Sequence, residues 1–452
     1  MGAKETGTVY ELLSSSTEKC FDPYLRCAFN GAAQTALGVS GCGLLAHSPQ
    51  GCEYLVNNAF VWQDCNYIET VTLCTKLCED EIVHGGEDLL AHTILEAREL
   101  NISVLFVLSA CGPEIVGDDI VAVCEDMQPQ VEFQLIPIEC AGFRGSQYDG
   151  IDIALDVMLK RFARDSGKKI PNSVCLIAPH ANANPTWMAD LEWVKDILPQ
   201  MGVQVVATLT HKTALSEFEN IPSAEASLLL SHDAGQKAAD YLAAEFGIEQ
   251  ICQGIPLPIG MSNIRRWLTE LGERFDAQKV AEKMVAEGEK MVMETCRRKW
   301  PMARFFYRTP TAIVADATIG IPLVRFTTEE MEMTPELVSL RSSQPYAREI
   351  LERELKDLGL APRVVYGTDV YKTRRSLDEV KPRIVFGSNI ERHAIEGFGI
   401  PYIFEVVRPL RQFRLINRAY FGYSGILNLL ECIQNEWSDR WRSKERRYKA
   451  RW

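Results

Sequence analysis

Three cysteines carry the chemistry that the sequence offers most plainly. Cys27 opens a stretch rich in small residues (Gly31, Ala32, Ala33), Cys52 follows the loop His47-Ser48-Pro49-Gln50-Gly51, and Cys111 ends the apolar run SVLFVLSA. A thiolate is the form that binds soft metals, and backbone N–H groups and helix N-termini favour it. Glycine-flanked loops let backbone approach an inorganic sulfide as closely as it approaches a phosphate. The spacing Cys27-x24-Cys52-x58-Cys111 is not the compact run of a ferredoxin or a zinc module. By spacing alone, a shared iron–sulfur site and separately buried thiols both stay open.

The remaining cysteines read mainly as packing. The chain has 14. Its N-terminus lacks the basic and apolar regions of a signal peptide, which implies a reducing, cytoplasmic setting in which disulfides are disfavoured. Met-Gly-Ala-Lys-Glu-Thr fits the myristoylation pattern through Gly2 and Thr6, but the pattern is too short to carry the assignment. Cys74 and Cys78 in TLCTKLCEDE would share one face if the segment were helical. Cys20, Cys42 and Cys65 read as small buried hydrophobes near the candidate ligands. Asp118-Asp119 could be acids beside the thiols but better suits a helix N-cap, Arg144 suits a counter-charge or a surface ion pair, and Trp62, Trp187 and Trp193 the core or an interface.

These residues must be positioned by a particular architecture. Apolar β-branched runs at Ser103–Leu108, Val131–Ile138, Ser173–Ile177, Val203–Leu209, Ala226–Leu230, Thr311–Ala315, Arg363–Tyr366 and Arg383–Phe386 predict strands. Helical patterns fill the gaps at Gly86–Leu100, Gly150–Ala163, Asp233–Glu245, Gln278–Arg297 and Glu330–Leu358. Such alternation predicts an α/β fold of parallel sheets flanked by helices. Ligands gather beyond the carboxyl ends of strands in such sheets, and Cys111 stands at one. Breaks near SGKKIPN and near Arg298–Pro310 divide the 452 residues into three expected domains, 1–168, 169–305 and 306–452.

Charge and hydropathy exclude some partners. Lys and Arg number 48 against 61 Asp and Glu, so a net charge of −13 argues against nucleic acid. No apolar run reaches the roughly 18 residues a membrane helix needs, so no membrane partner is expected. Arg440–Trp452 is locally basic and reads as a solvated helix end or a tail lying on a partner subunit.

Several ordered segments together resemble nitrogenase component 1. RCAFNGAAQTALGVSGCGLLAHSPQGC is similar to that family's P-cluster segment, with Cys27, Gly31, His47, Gly51 and Cys52 on the pattern and Ser48-Pro49 departing from it. EDEIVHGGEDLL, LSACGPEIVGDDI and FRGSQYDG resemble the segments that follow, in register, and the likeness thins toward the C-terminus. The resemblance implies three Rossmann-like domains and an iron–sulfur cluster, P-cluster-type [8Fe-7S] or [4Fe-4S], shared between unlike subunits. Cys27, Cys52 and Cys111 would be this chain's ligands. Ser146 falls where some β-type subunits place a serine that binds iron on oxidation; a plain turn serine is the reading its own residue type favours.

The resemblance also implies which subunit this is. The α-type (D-type) catalytic subunit holds the active-site metallocluster with a second-domain cysteine and a C-terminal histidine. Here Ser231 stands at the first position, beside His232, and GIPYIFEVVRPLRQFRLINRAYFGYSGILNLL has no histidine. GIPLPIGMSNIRRWLTELG and VVRPLRQFRLINRAYFGYSG resemble β-type segments. The expected role is therefore a β-type (K-type) relay with no catalytic residue of its own, in an α2β2 heterotetramer. No Walker A motif occurs, so the ATP chemistry would lie on a separate iron protein. Within the family, the short N-terminus and the divergent Glu53–Val83 stretch point to methylthio-alkane reductase. A nitrogenase β subunit is the runner-up and a cofactor-assembly scaffold a third reading.

Overall fold

The structure, a computed structural model, describes residues 25–61, 71–165, 167–180, 184, 186–299, 306–367, 369–396, 398–400, 402–407 and 416–445. Its strands form three sheets in which every pairing is parallel. The first contains β1 (Cys42–His47), β2 (Val71–Cys74), β3 (Val104–Ser109) and β4 (Gln134–Glu139), in the order β2-β1-β3-β4. The second contains β5 (Ser173–Ile177), β6 (Gln204–Leu209), β7 (Ala226–Leu229) and β8 (Glu249–Ile251), ordered β6-β5-β7-β8. The third contains β9 (Pro310–Ala315), β10 (Thr334–Leu340), β11 (Arg363–Tyr366), β12 (Ile384–Gly387) and β13 (Tyr402–Glu405), ordered β11-β10-β9-β12-β13. The α/β expectation is met.

The central strands are buried along their length, as strands covered on both faces must be. Every residue of β3 (VLFVLS) is buried. One face of the first sheet puts Leu45, Leu105, Val107 and Leu135 against Leu90, Ile94, Ile120 and Cys124. Ala312, Val314, Leu337 and Val385 do the same in the third sheet, against Leu377 and Ile395. The first two sheets lie in one compact unit, residues 25–184 and 202–253; the third lies in another, residues 186–201 and from 254 onward. Among the described residues no helix is long and apolar enough to cross a membrane.

Two expectations fail. Glu330–Leu358 is not one helix: it holds β10 and the helix Pro345–Asp357. Pro335 cannot donate within a helix, whereas Pro345 suits a first helical turn. Cys74 and Cys78 share no helix face either. Cys74 ends β2 and Cys78 caps the helix Glu79–His84, with Lys76 between them in left-handed backbone at φ 57°.

The helices that position the site are α1 (Ala28–Leu37), α2 (Gln50–Val61), α3 (Glu79–His84), α4 (Glu87–Glu96), α5 (Cys111–Val116), α6 (Ile120–Met127) and α7 (Gln147–Phe162). In the first sheet the connections run from β1 to β2 on one side and on to β3 on the other. Its switch point, where ligands collect in such sheets, is therefore between the carboxyl ends of β1 and β3.

Candidate iron–sulfur site

Each of the three cysteines stands where a helix begins. Cys27 is the N-cap of α1, Cys52 lies in the first turn of α2 after β1, and Cys111 is the first residue of α5 after β3. Helix starts leave N–H groups unspent and favour a negative sulfur. Gly142, just beyond β4, brings two of the sulfurs together. A Cβ on Gly142 would lie 3.0 Å from Cys111 Sγ and 3.3 Å from Cys27 Sγ. Both sulfurs thus border one small space that only glycine leaves open. The Gly142 N–H donates to Cys111 Sγ at 3.1 Å.

Cys52 belongs to the same neighbourhood. Burial, and after it the charges of Cys27, Cys111 and Cys74, push its thiol up to about 11. Burial is the larger influence, since it disfavours a charged sulfur, and the like charges of neighbouring thiolates act in the same direction. No three of the described His, Cys, Asp and Glu side chains are placed to hold a single metal ion. Cysteine sulfur is the donor type that an iron–sulfur cluster takes, and Cys27, Cys52 and Cys111 supply it from the starts of three helices.

Close packing fixes Cys27. Where α1 crosses α7, a Cβ on Gly31 would stand 1.9 Å from the Gln147 carbonyl oxygen, and one on Gly150 1.9 Å from that of Ala28. This approach lets Cys27 and Ser146 form an antiparallel bridge, with Gln147 N–H donating to Arg26 O at 2.7 Å. The Ser146 hydroxyl donates to Asp149 Oδ2 at 2.7 Å, closing the N-terminus of α7. Ser146 is thus beside Cys27 but spends its hydroxyl on its own helix.

A buried pair ties the other loops together. His47 Nε2 donates to Asp118 Oδ2 at 3.0 Å, and the Asp118 oxygens accept the Gly86 N–H at 3.0 and 3.1 Å. Burial pushes His47 below the usual imidazole range against the pull of Asp118, so the ring is neutral near pH 7. Its Nδ1 then accepts from the Thr75 hydroxyl at 3.2 Å. One imidazole thereby links the loop before Cys52, the loop after Cys111 and the start of α4. Asp119 is the N-cap of α6, accepting from Val121 and Ala122 N–H, whereas its neighbour Asp118 is no cap.

The other described sequence candidates have local partners or places in the core. Arg144 pairs with Glu114 at 2.7 Å and sits 3.6 Å from Glu139, so its charge is already matched. Cys42 donates to Val39 O at 2.9 Å in the core. Trp187 is buried, and Trp193 packs with its ring centroid 6.0 Å from Trp267 and 6.3 Å from Phe421. Ser231 Oγ accepts the Asp233 N–H at 3.0 Å, the work of a turn residue. His232 is buried, and burial pushes it down to about 3. Gly2, Thr6, Cys20, Trp62 and Cys65 lie outside the described residues, as do the side chains of Arg440–Trp452.

Fold and site define the class first: an α/β protein of three parallel sheets with a thiol cluster at the switch point of the first. The family follows from comparison. The model for nitrogenase component 1 type oxidoreductases matches residues 27–438, and the chain belongs to that family. It is 21% identical to the nitrogenase iron-iron protein beta chain of Rhodobacter capsulatus, over 94% of this chain and 95% of the relative. It is 26% identical to the nitrogenase iron-molybdenum cofactor biosynthesis protein NifE of Clostridium pasteurianum, over 50% of this chain and 49% of that protein. The solved structure of nitrogenase Cp1 at pH 6.5 superposes with a TM-score of 0.78 at 16% identity, covering 97% of this chain and 96% of that one.

Proposed function

We propose that this chain is the β-type subunit of a nitrogenase-like reductase and holds half of an iron–sulfur cluster through Cys27, Cys52 and Cys111. The observation that carries the reading is the convergence of Cys27 and Cys111 on Gly142. When bound, such a cluster takes up and passes on single electrons. The chain's own part is to place three sulfurs, to supply the Gly142 N–H to one of them, and to hold their loops rigid through His47 and Asp118. Ser146 becomes a fourth group only if its hydroxyl leaves Asp149.

The partners on this reading are an α-type (D-type) catalytic subunit, which completes the cluster in an α2β2 assembly, and an ATP-dependent iron protein that supplies electrons. The reducible substrate binds on the α-type partner. Methylthio-alkane reduction, the cleavage of C–S bonds in small thioethers, is the favoured reaction. The full-length likeness to an iron-iron nitrogenase beta chain supports N2 reduction as the second reading. The chain divides on this proposal at about residues 168 and 305, between its sheets.

Anaerobic co-purification with the α-type partner tests the proposal. It expects a brown complex containing iron and acid-labile sulfide, which turns over a volatile thioether with the iron protein and ATP. A colourless, iron-free complex would overturn the cluster. Reduction of N2 but not thioether would move the chain to the second reading.

A further inference from the structure

Two buried amides share a helix face with Cys27. A helix returns to the same face every three or four residues, so Cys27, Asn30 and Gln34 lie along one stripe of α1. Asn30 is 3% exposed and Gln34 1%. Neither the nitrogen nor the oxygen of either amide has a hydrogen-bond partner. Among the described residues, no other side-chain amide has both polar atoms buried and unpaired. Buried polar groups are nearly always paired, so two such amides on one face call for a polar group beside them.

The helix itself fixes what adjoins Asn30. Cys27 is the N-cap of α1 and Asn30 its third residue, whose N–H donates to Cys27 O at 3.1 Å. Side chains lean toward the start of their helix, and one at this third position reaches back to the N-cap residue, as in a capping box. No side-chain cap is made here, and Cys27 Sγ borders the space at Gly142 instead. The Asn30 amide thus brings two N–H donors beside the Cys27 side chain. Gln34 stands about 6 Å further along the axis.

We propose that the Asn30 amide donates a hydrogen bond to a cluster sulfur at Cys27 and holds the cluster's reduction potential up. This rests on the iron–sulfur reading of the site. Sulfurs of such a cluster accept hydrogen bonds, and these bonds help to set its potential. Reduction makes the cluster more negative, and a donor stabilises the more negative state more. Gln34, within i,i+4 reach of the Asn30 oxygen, steadies the amide without touching the cluster.

The test uses the complex with the α-type partner, purified anaerobically from cells supplied with 15N-asparagine. Wild type, Asn30→Leu, Asn30→Ala and Gln34→Leu are compared by iron and sulfide content, by midpoint potential, and by pulsed EPR of the cluster in a paramagnetic state. Leucine keeps the bulk of asparagine without its donor, and alanine loses both. Wild type should show a 15N coupling to the cluster; its absence overturns the proposal whatever the variants do. Both Asn30 variants should hold iron, lose that coupling and titrate at a more negative potential, while Gln34→Leu keeps the coupling. If the Asn30 variants match wild type in coupling and potential, Asn30 is no donor to the cluster and the three-cysteine reading stands. A lower potential with the coupling retained would assign the shift to packing and overturn the proposal as well. A wild-type complex without iron overturns both readings.

Discussion

The backbone N–H of Gly142 points at the sulfur of Cys111, 3.1 Å away, and any side chain at Gly142 would press on that same sulfur. A residue that matters for what it lacks makes a sharp probe. Gly142 is not in left-handed backbone, so alanine fits its conformation. Gly142→Ala should leave the fold intact, with the melting temperature lowered by no more than about 4 °C, the scale of 1 kcal/mol. It should also lower bound iron and alter the EPR spectrum. Unchanged iron and spectrum would show that the space beside Cys27 and Cys111 is not used.

Two glycines of the cysteine-rich stretch should respond oppositely to alanine. A Cβ on Gly31 runs into the Gln147 carbonyl, while one on Gly51 meets nothing within 4 Å. Gly31→Ala should cost at least about 1–3 kcal/mol by overpacking. Gly51→Ala, within α2, should be neutral or stabilise by up to about 1 kcal/mol. Denaturant midpoints of the purified variants decide this, and equal effects would refute the α1–α7 packing described above.

Asp118 and Asp119 are adjacent in sequence but not in role. Asp118→Ala strands the buried His47 and Gly86 donors, at about 1–3 kcal/mol for each buried group left unpaired. Asp119→Ala removes only a cap and should cost about 1 kcal/mol. Urea unfolding of the two variants should therefore rank them clearly; matching losses would mean the His47–Asp118 link carries no weight.

Asp190 supplies a pH test away from the thiols. It accepts from Thr186 Oγ1 and from the Tyr420 and Phe421 N–H groups, yet burial, the largest influence, pushes it up to about 7 from 3.8. Between those values the folded chain keeps a proton that the unfolded chain has released, so this group's stabilising share falls as pH rises and levels off above about 7. Asp190→Asn cannot ionise. Its stability relative to wild type should rise between pH 5 and pH 8, by on the order of 1–3 kcal/mol. A difference independent of pH would contradict a raised Asp190.

Much of this architecture was legible in the residues themselves. Ser173–Ile177 and Arg363–Tyr366 announce strands at the observed boundaries: the first is a buried apolar run of the kind a covered parallel strand requires, and the second, a half-buried edge strand, keeps the β-formers Val364, Val365 and Tyr366. Other strands were hidden. β1 is CGLLAH, weak in β-formers, and β10 (TPELVSL) carries a proline and a glutamate that blur its period. The spacing of Cys74 and Cys78 fits a helix period, but β2 is only four residues long and a turn separates the two. Cys27, Cys52 and Cys111 stood out by type and motif. Gly142 left no signal, since its part is to be small beside residues 31 and 115 positions distant, which only the folded sheet edge brings near.

The central claim is that Cys27, Cys52 and Cys111 hold iron jointly. Its most direct test is the iron and acid-labile sulfide content of the anaerobically purified full-length chain in complex with its partner. Alanine is placed singly at each of the three positions and, as a control, at the buried Cys42. The account predicts that each of the three substitutions removes or degrades the cluster while the control retains it. Iron that survives all three unchanged, with its spectrum intact, would contradict the account.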